Sequence, residues 1–124
     1  MGIEVKLEVF EGPLDLLLHL IEKNKIDIYD IPIAEITDQY MEYVNQMKTA
    51  DLDTMSDFLL VAAQLINIKS RMLLPKEEKE NGEEIDPRED LVKRLIEYKM
   101  YKYSAELLKG KGDFASSYLF KEPT

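Results

Sequence analysis

Residues 53–75 decide the fold, and they read DTMSDFLLVAAQLINIKSRMLLP. An aspartate opens this segment and a proline closes it, which predicts a helix with an N-cap at Asp53 and an end before Pro75. Two neighbouring apolar stripes run along the predicted helix. The first contains Met55, Phe58, Ala62, Leu65 and Met72, and the second contains Leu59, Ala63, Ile66 and Leu73. A helix that is apolar nearly all round needs partners on more than one side, so we expect it to await a further helix.

Two shorter amphipathic helices precede this segment. The first begins at Gly12-Pro13, with proline at the first helical position, and ends near Asn24. Its apolar stripe consists of Leu14, Leu17, Leu18 and Ile21, and we expect Asp15, His19 and Glu22 on the opposite, solvated side. The second helix begins at Asp30-Ile31-Pro32, and its apolar face consists of Ile33, Ile36, Tyr40, Val44 and Met47. Together with the third helix they predict a helical domain over residues 1–75.

Three further segments complete the predicted architecture. Residues 3–9 alternate between apolar and charged, which predicts a short strand, and residues 76–86 predict an acidic linker. Asp86-Pro87-Arg88-Glu89 resembles a capping box and opens a long fourth helix, which ends at Lys109 with Gly110 as its C-cap. The predicted fold class is mainly α, with one short N-terminal strand, a small helical domain, an acidic linker and a long fourth helix followed by an aromatic tail in segment 87–124.

The fourth helix has apolar stripes of its own and also a basic face. Five basic residues alternate with its tyrosines, a pattern that also occurs in nucleic-acid-binding proteins: Lys93, Arg94, Lys99, Lys102 and Lys109. Tyr98 and Tyr101, however, fall on an apolar stripe, and acidic residues interrupt the basic face. We therefore favour contact with a protein partner. A helical nucleic-acid adaptor or regulator that uses the basic face of helix 91–109 is the alternative.

Composition excludes several classes of function. The 124 residues carry 16 basic and 25 acidic side chains, and the formal net charge of −9 opposes broad binding to nucleic acid. There is no cysteine and one histidine, so thiolate metal sites and most catalytic triads are excluded. The longest apolar run, residues 58–63, is far shorter than the roughly 20 residues of a membrane span. We expect no catalytic residue, metal or cofactor, no membrane contact and a cytoplasmic location; a metal-dependent hydrolase built on the acidic run 77–84 is a weaker rival.

Four segments of the chain together resemble one family. They are FEGPLDLLLHLI at residues 10–21, IDIYDIPI at 26–33 with Gln39-Tyr40, IKSRMLLP at 68–75, and DPRE at 86–89 with RLIEYK at 94–99. These motifs are similar to those of segregation and condensation protein A, ScpA, the bacterial kleisin of the SMC–ScpAB condensin complex. The resemblance extends over most of residues 1–110.

The resemblance implies a non-enzymatic scaffold that acts in chromosome condensation and segregation. In that family the N-terminal domain packs against the coiled-coil neck of an SMC subunit, and a ScpB dimer holds the central segment. A C-terminal winged-helix domain caps the other SMC head, so the complex closes around DNA, which the kleisin contacts only indirectly at the nucleoid. This sequence stops at Thr124, and we therefore expect that it lacks the winged-helix domain.

The resemblance also assigns partners to the stripes. For the SMC neck we expect the second stripe of the third helix, which is Leu59, Ala63, Ile66 and Leu73. For ScpB we expect anchors on the fourth helix and the tail, because aromatic residues are common in such roles: Leu91, Leu95, Tyr98, Tyr101, Phe114, Tyr118 and Phe120. Two alternatives stay open, since the third-helix stripes are interchangeable in sequence and the fourth helix has the pattern to pack against the N-terminal helices.

Overall fold

A computed structural model describes residues 10–47 and 51–110 of the chain. Four helices occupy most of this part: α1 (Pro13–Lys23), α2 (Ile33–Asn45), α3 (Leu52–Leu73) and α4 (Glu89–Gly110). Two short strands, β1 (Glu77–Glu78) and β2 (Glu84–Ile85), separate α3 from α4. The mainly α class is confirmed. The predicted strand at 3–9 and the aromatic tail with Phe114, Tyr118 and Phe120 lie outside the described residues.

Particular residues mark the two ends of α1 and the start of α3. Pro13 opens α1, and the Asn24 side chain donates to the carbonyl of Leu20 at 2.6 Å to close it. The predicted N-cap of α3 at Asp53 was wrong, because Asp51 is the cap. Its carboxylate accepts the backbone N–H groups of Asp53 and Thr54, which have no acceptor inside the helix.

The predicted linker at 76–86 contains an exposed antiparallel hairpin. Glu77 pairs with Ile85 and Glu78 with Glu84. Gly82 turns the chain with a φ of 84°, a conformation that glycine adopts without a steric cost. The preceding asparagine makes an Asn-Gly pair, the typical sequence of a tight hairpin turn, and this signal was available in the sequence.

The start of α4 also differs from the prediction. Glu89 closes no capping box; instead one Asp86 carboxylate oxygen accepts the backbone N–H of Arg88 at 2.9 Å. The helix therefore begins at Glu89, two residues after Pro87, and it includes Gly110.

One hydrophobic core unites the four helices. The predicted apolar face of α2 is confirmed, since all five of its residues are buried: Ile33, Ile36, Tyr40, Val44 and Met47. The Tyr40 hydroxyl donates to the carbonyl of Phe58 at 2.7 Å, and burial raises the pKa of this phenol. Leu91 and Leu95 of α4 belong to the same core cluster as α1–α3, so the first turns of α4 are part of the bundle.

Candidate protein interface

One side of α3, its inner face, packs on the bundle and contains part of the first stripe. Phe58, Ala62 and Leu65 are buried, and the ring of Phe58 lies 6.5 Å from that of Tyr40. Met55 is only half-buried and Met72 is exposed at the ends of the stripe. The core therefore uses the centre of the first stripe, and the opposite side of α3 is turned to solvent.

The outer face of α3 carries the second stripe, and all four of its residues are exposed. The exposed fractions are 51% for Leu59, 52% for Ile66 and 81% for Leu73, and Ala63 lies between them. Leu52 extends the same face by one heptad at its N-terminal end, a residue that our predicted helix start excluded.

An exposed apolar surface of this kind is typical of a protein interaction site. Isolated apolar side chains on a surface need no explanation, whereas a contiguous row marks a binding face or an aggregation hazard. Full burial of one Leu or Ile side chain contributes about 1.5–3 kcal/mol of free energy. These residues are half-exposed or more, so a partner that covers them gains a substantial part of that free energy for each side chain. The outer face of α3 is therefore the candidate interface.

The inner face of α4 is used within the chain. Leu91 and Leu95 are buried in the core. Tyr98 is half-buried, and its hydroxyl donates to a carboxylate oxygen of Glu11 at 2.7 Å. Desolvation raises the pKa of Tyr98, and the Glu11 acceptor adds to the effect. Leu91 and Leu95 thus join α4 to the core, and Tyr98 bonds it to the segment that leads into α1. All three were predicted to contact ScpB.

A partly buried ion pair reinforces this contact. Our expectation of a solvated Asp15 was wrong, because α4 covers that side of α1 and leaves the residue 2% exposed. Its carboxylate accepts the backbone N–H of Glu11 at 3.1 Å and a hydrogen bond from the Lys102 ammonium. The Asp15 acceptor raises the pKa of Lys102. His19, in contrast, is exposed as expected, with its ring 5.2 Å from that of Phe10.

Arg88 fixes the N-terminal end of α4. Its guanidinium donates to a carboxylate oxygen of Asp30 at 2.9 Å and to the carbonyl of Ile31 at 2.8 Å. It also donates to both carboxylate oxygens of Asp86, and these hydrogen bonds hold the pKa of Asp86 below its ordinary value. Polar bonds therefore secure α4 at both ends of its apolar contact with the bundle.

The outer face of α4 is exposed and apolar. Tyr101 is exposed, and its ring lies 6.1 Å from that of Tyr98. Met100, Tyr103 and Leu107, which received no predicted role, are also exposed.

Comparison with known proteins now identifies the family. A family model for "Segregation and condensation protein ScpA" matches residues 20–122. The chain belongs to the ScpA family. A relative from Caldanaerobacter subterraneus, named segregation and condensation protein A, is 64% identical over 110 residues, which are 86% of this chain and 44% of the relative. The namesake from Bacillus subtilis is 52% identical over 126 residues, which are 98% of this chain and 50% of that protein. The chain spans about half the length of the curated relatives it matches.

The basic face of α4 in this ScpA-family chain is partly used within the chain. Lys102 is paired with Asp15, and Arg94 donates to the Gln64 side chain at 3.0 Å, so two of the five basic residues of α4 make bonds within the chain. Between residues 10 and 47 and between 51 and 110, no three His, Cys, Asp or Glu side chains are grouped to hold a metal. None of the four described helices has the length and hydropathy to cross a membrane.

Proposed function

We propose that this chain is the N-terminal and central part of a non-enzymatic kleisin scaffold, which links SMC to ScpB in the bacterial condensin complex during chromosome condensation and segregation. The outer face of α3 would bind the SMC coiled-coil neck, and α4 with the following tail would bind the ScpB dimer. Contact with DNA would be indirect, through the complex. Membership in the ScpA family and the motifs of residues 10–99 support this assignment.

The observation that carries the proposal is the exposed row Leu59, Ala63, Ile66 and Leu73. The opposite side of α3 packs on the bundle. The row is therefore accessible along the length of the helix. Recognition of an apolar helix face by another helical protein uses such anchors three and four residues apart. The net charge of −9 supports a protein partner over direct contact with the phosphate backbone.

The predicted ScpB anchors fall into three groups. Tyr101 is exposed and accessible, and Tyr98 is half-buried beside it. Leu91 and Leu95 are buried in the bundle core, so they reach ScpB only if α4 separates from α1. Phe114, Tyr118 and Phe120 stay predictions from the sequence.

The SMC contact is tested with Leu59→Glu combined with Ile66→Glu. Because both side chains are half-exposed, the double variant should keep its helical circular dichroism and fail to co-purify with an SMC head–neck fragment. The matched control is Met100→Glu combined with Leu107→Glu, which changes two exposed apolar residues of α4 in the same way and should still co-purify. If the α3 variant is retained as well as the wild-type chain, the proposed SMC face is wrong.

A further inference from the structure

Helix α4 is attached to the bundle by fewer buried side chains than the other helices. Two of its 22 residues, Leu91 and Leu95, are buried, whereas α1 buries six residues and α2 and α3 bury five each. All residues from 103 to 110 are exposed. A helix with few buried apolar contacts separates from its neighbours more easily than a helix that is buried along its length.

Two polar bonds hold α4 beyond these leucines, and we call them the α4 latch. The Tyr98 hydroxyl donates to a carboxylate oxygen of Glu11 at 2.7 Å, and the Lys102 ammonium donates to the Asp15 carboxylate. Both acceptors belong to the beginning of α1 or the segment before it, and both donors belong to α4. The latch can therefore be weakened from the α1 side without changing any residue of α4.

The docked position of α4 uses side chains that the proposed ScpB contact also needs. Leu91 and Leu95 belong to the core cluster, and Tyr98 packs against it. A side chain that is packed in the bundle is not available to a partner at the same time. Docking of α4 therefore excludes ScpB from these three predicted anchors, whereas Tyr101 is 65% exposed and accessible in the docked position.

We propose that the docking of α4 on α1 is an autoinhibitory contact, which withholds Leu91, Leu95 and Tyr98 from ScpB until α4 separates from α1. The inference rests on the proposed function and adds its regulation. ScpB binds the open position of α4 in this scheme, so the measured dissociation constant is the intrinsic one divided by the fraction of open chains. Any change that weakens the latch raises that fraction and tightens binding.

The first test weakens the latch with Glu11→Ala combined with Asp15→Asn. Asp15→Asn removes the charge that holds Lys102 and leaves an oxygen to accept the backbone N–H of Glu11. Isothermal titration calorimetry then measures the affinity of the full 124-residue chain for ScpB. Binding should become roughly tenfold tighter, the change that corresponds to a loss of about 1.4 kcal/mol in docking free energy.

The matched control makes the same chemical changes on α2. Asp38→Asn combined with Glu42→Ala alters two exposed residues, of which Asp38 pairs with Lys69 of α3. This variant should bind ScpB as the wild-type chain does. Circular dichroism of both variants verifies that the helices are retained.

A reversible crosslink tests the opposite direction. The chain contains no cysteine, so Glu11→Cys combined with Lys102→Cys introduces its only two thiols. The two positions lie close together, because the carboxylate of Asp15 accepts both the backbone N–H of Glu11 and the Lys102 ammonium. A short bis-methanethiosulfonate reagent joins the thiols through disulfides, and dithiothreitol releases them.

The joined chain should bind ScpB at least tenfold more weakly than the same chain after reduction, because α4 cannot leave α1. The control for the chemical modification is the same double variant with methyl methanethiosulfonate on each thiol, which adds a group to both positions without fixing α4. This control should bind as the reduced chain does.

The results distinguish this inference from the proposed function. If the wild-type chain binds ScpB and neither the weakened latch nor the crosslink changes the affinity, the ScpB contact stands and autoinhibition is wrong. Weaker binding by Glu11→Ala with Asp15→Asn would mean that ScpB recognises α4 in its docked position, which also overturns the inference. If no form of the chain binds ScpB, the proposed ScpB contact itself is wrong.

Discussion

Lys102→Met tests the ion pair that holds α4 to α1. The substitution keeps most of the aliphatic length of Lys102 and removes the ammonium that bonds to Asp15. The Asp15 carboxylate then retains the N–H of Glu11 as its bonding partner among the described residues, on a residue that is 2% exposed in the structure. A buried charge with one partner removed is costly, so the variant should be destabilised.

The expected loss follows from the exposure of the two partners. The Asp15 side chain is 3% exposed and that of Lys102 is 38% exposed. A fully exposed pair contributes about 0–1 kcal/mol, whereas removal of one partner of a fully buried pair costs about 3–5 kcal/mol. Solvent screens the lysine end of this pair, so we expect a decrease of about 2 kcal/mol in the free energy of unfolding.

Urea unfolding followed by circular dichroism measures this effect in a double-mutant cycle with Asp15→Asn. The cycle should give a coupling energy of about 1–2 kcal/mol between the two positions. Lys69→Met is the matched control, because its pair with Asp38 is 36% and 74% exposed and its loss should cost no more than about 0.5 kcal/mol. A Lys102→Met variant as stable as Lys69→Met would refute the reasoning.

Three other predictions follow from particular side chains. Thr37 is 2% exposed, and among the described residues its hydroxyl has no hydrogen-bond partner; Thr37→Val should raise the free energy of unfolding by about 1 kcal/mol in urea titrations, and a loss of stability would contradict it. Arg88 lowers the pKa of Asp86 from 3.8. The interaction between the two side chains therefore stabilises the fold above that pH, and its contribution is lost as the pH falls through the pKa of Asp86 in the folded chain. Between about pH 5 and about pH 3 the wild-type chain should therefore lose more stability than Asp86→Asn, and equal losses would exclude this linkage. Tyr98→Ala with Tyr101→Ala should weaken ScpB binding in calorimetry and spare SMC binding, and unchanged ScpB affinity would reject these anchors.

The sequence predicted local periodicity well and could not predict which helix faces which. Helix α2 has a single apolar face, from Ile33 to Met47, so the burial of that face followed directly from the spacing of its apolar residues. In α3 two stripes have similar hydropathy, and the packing of Phe58 against Tyr40 decides which of them is buried. No single-helix pattern contains that information, because the deciding partner lies on another element.

Asp15 shows the same limit for polar residues. Its position in α1 places Asp15 on the side opposite the leucines. A residue on that side is exposed to solvent only if no other element packs against it. Lys102 and Tyr98 reach this side from 87 residues further along the chain, and they bring a cation and a hydroxyl to two carboxylates, Asp15 and Glu11. A charged residue on a polar helix face therefore requires hydrogen-bond partners, and either water or a side chain distant in sequence can supply them.

The two faces of α4 determine which variants can test partner binding. Leu91 and Leu95 contribute to the core, so their substitution lowers stability whether or not they contact ScpB. A loss of ScpB binding in such a variant would therefore report on the fold. Tyr101 contributes little to the core, because it is 65% exposed on the outer face of α4, and its substitution reports mainly on that surface. A ScpB contact assigned through Tyr101 is thus informative, whereas one assigned through Leu95 needs a parallel measurement of stability.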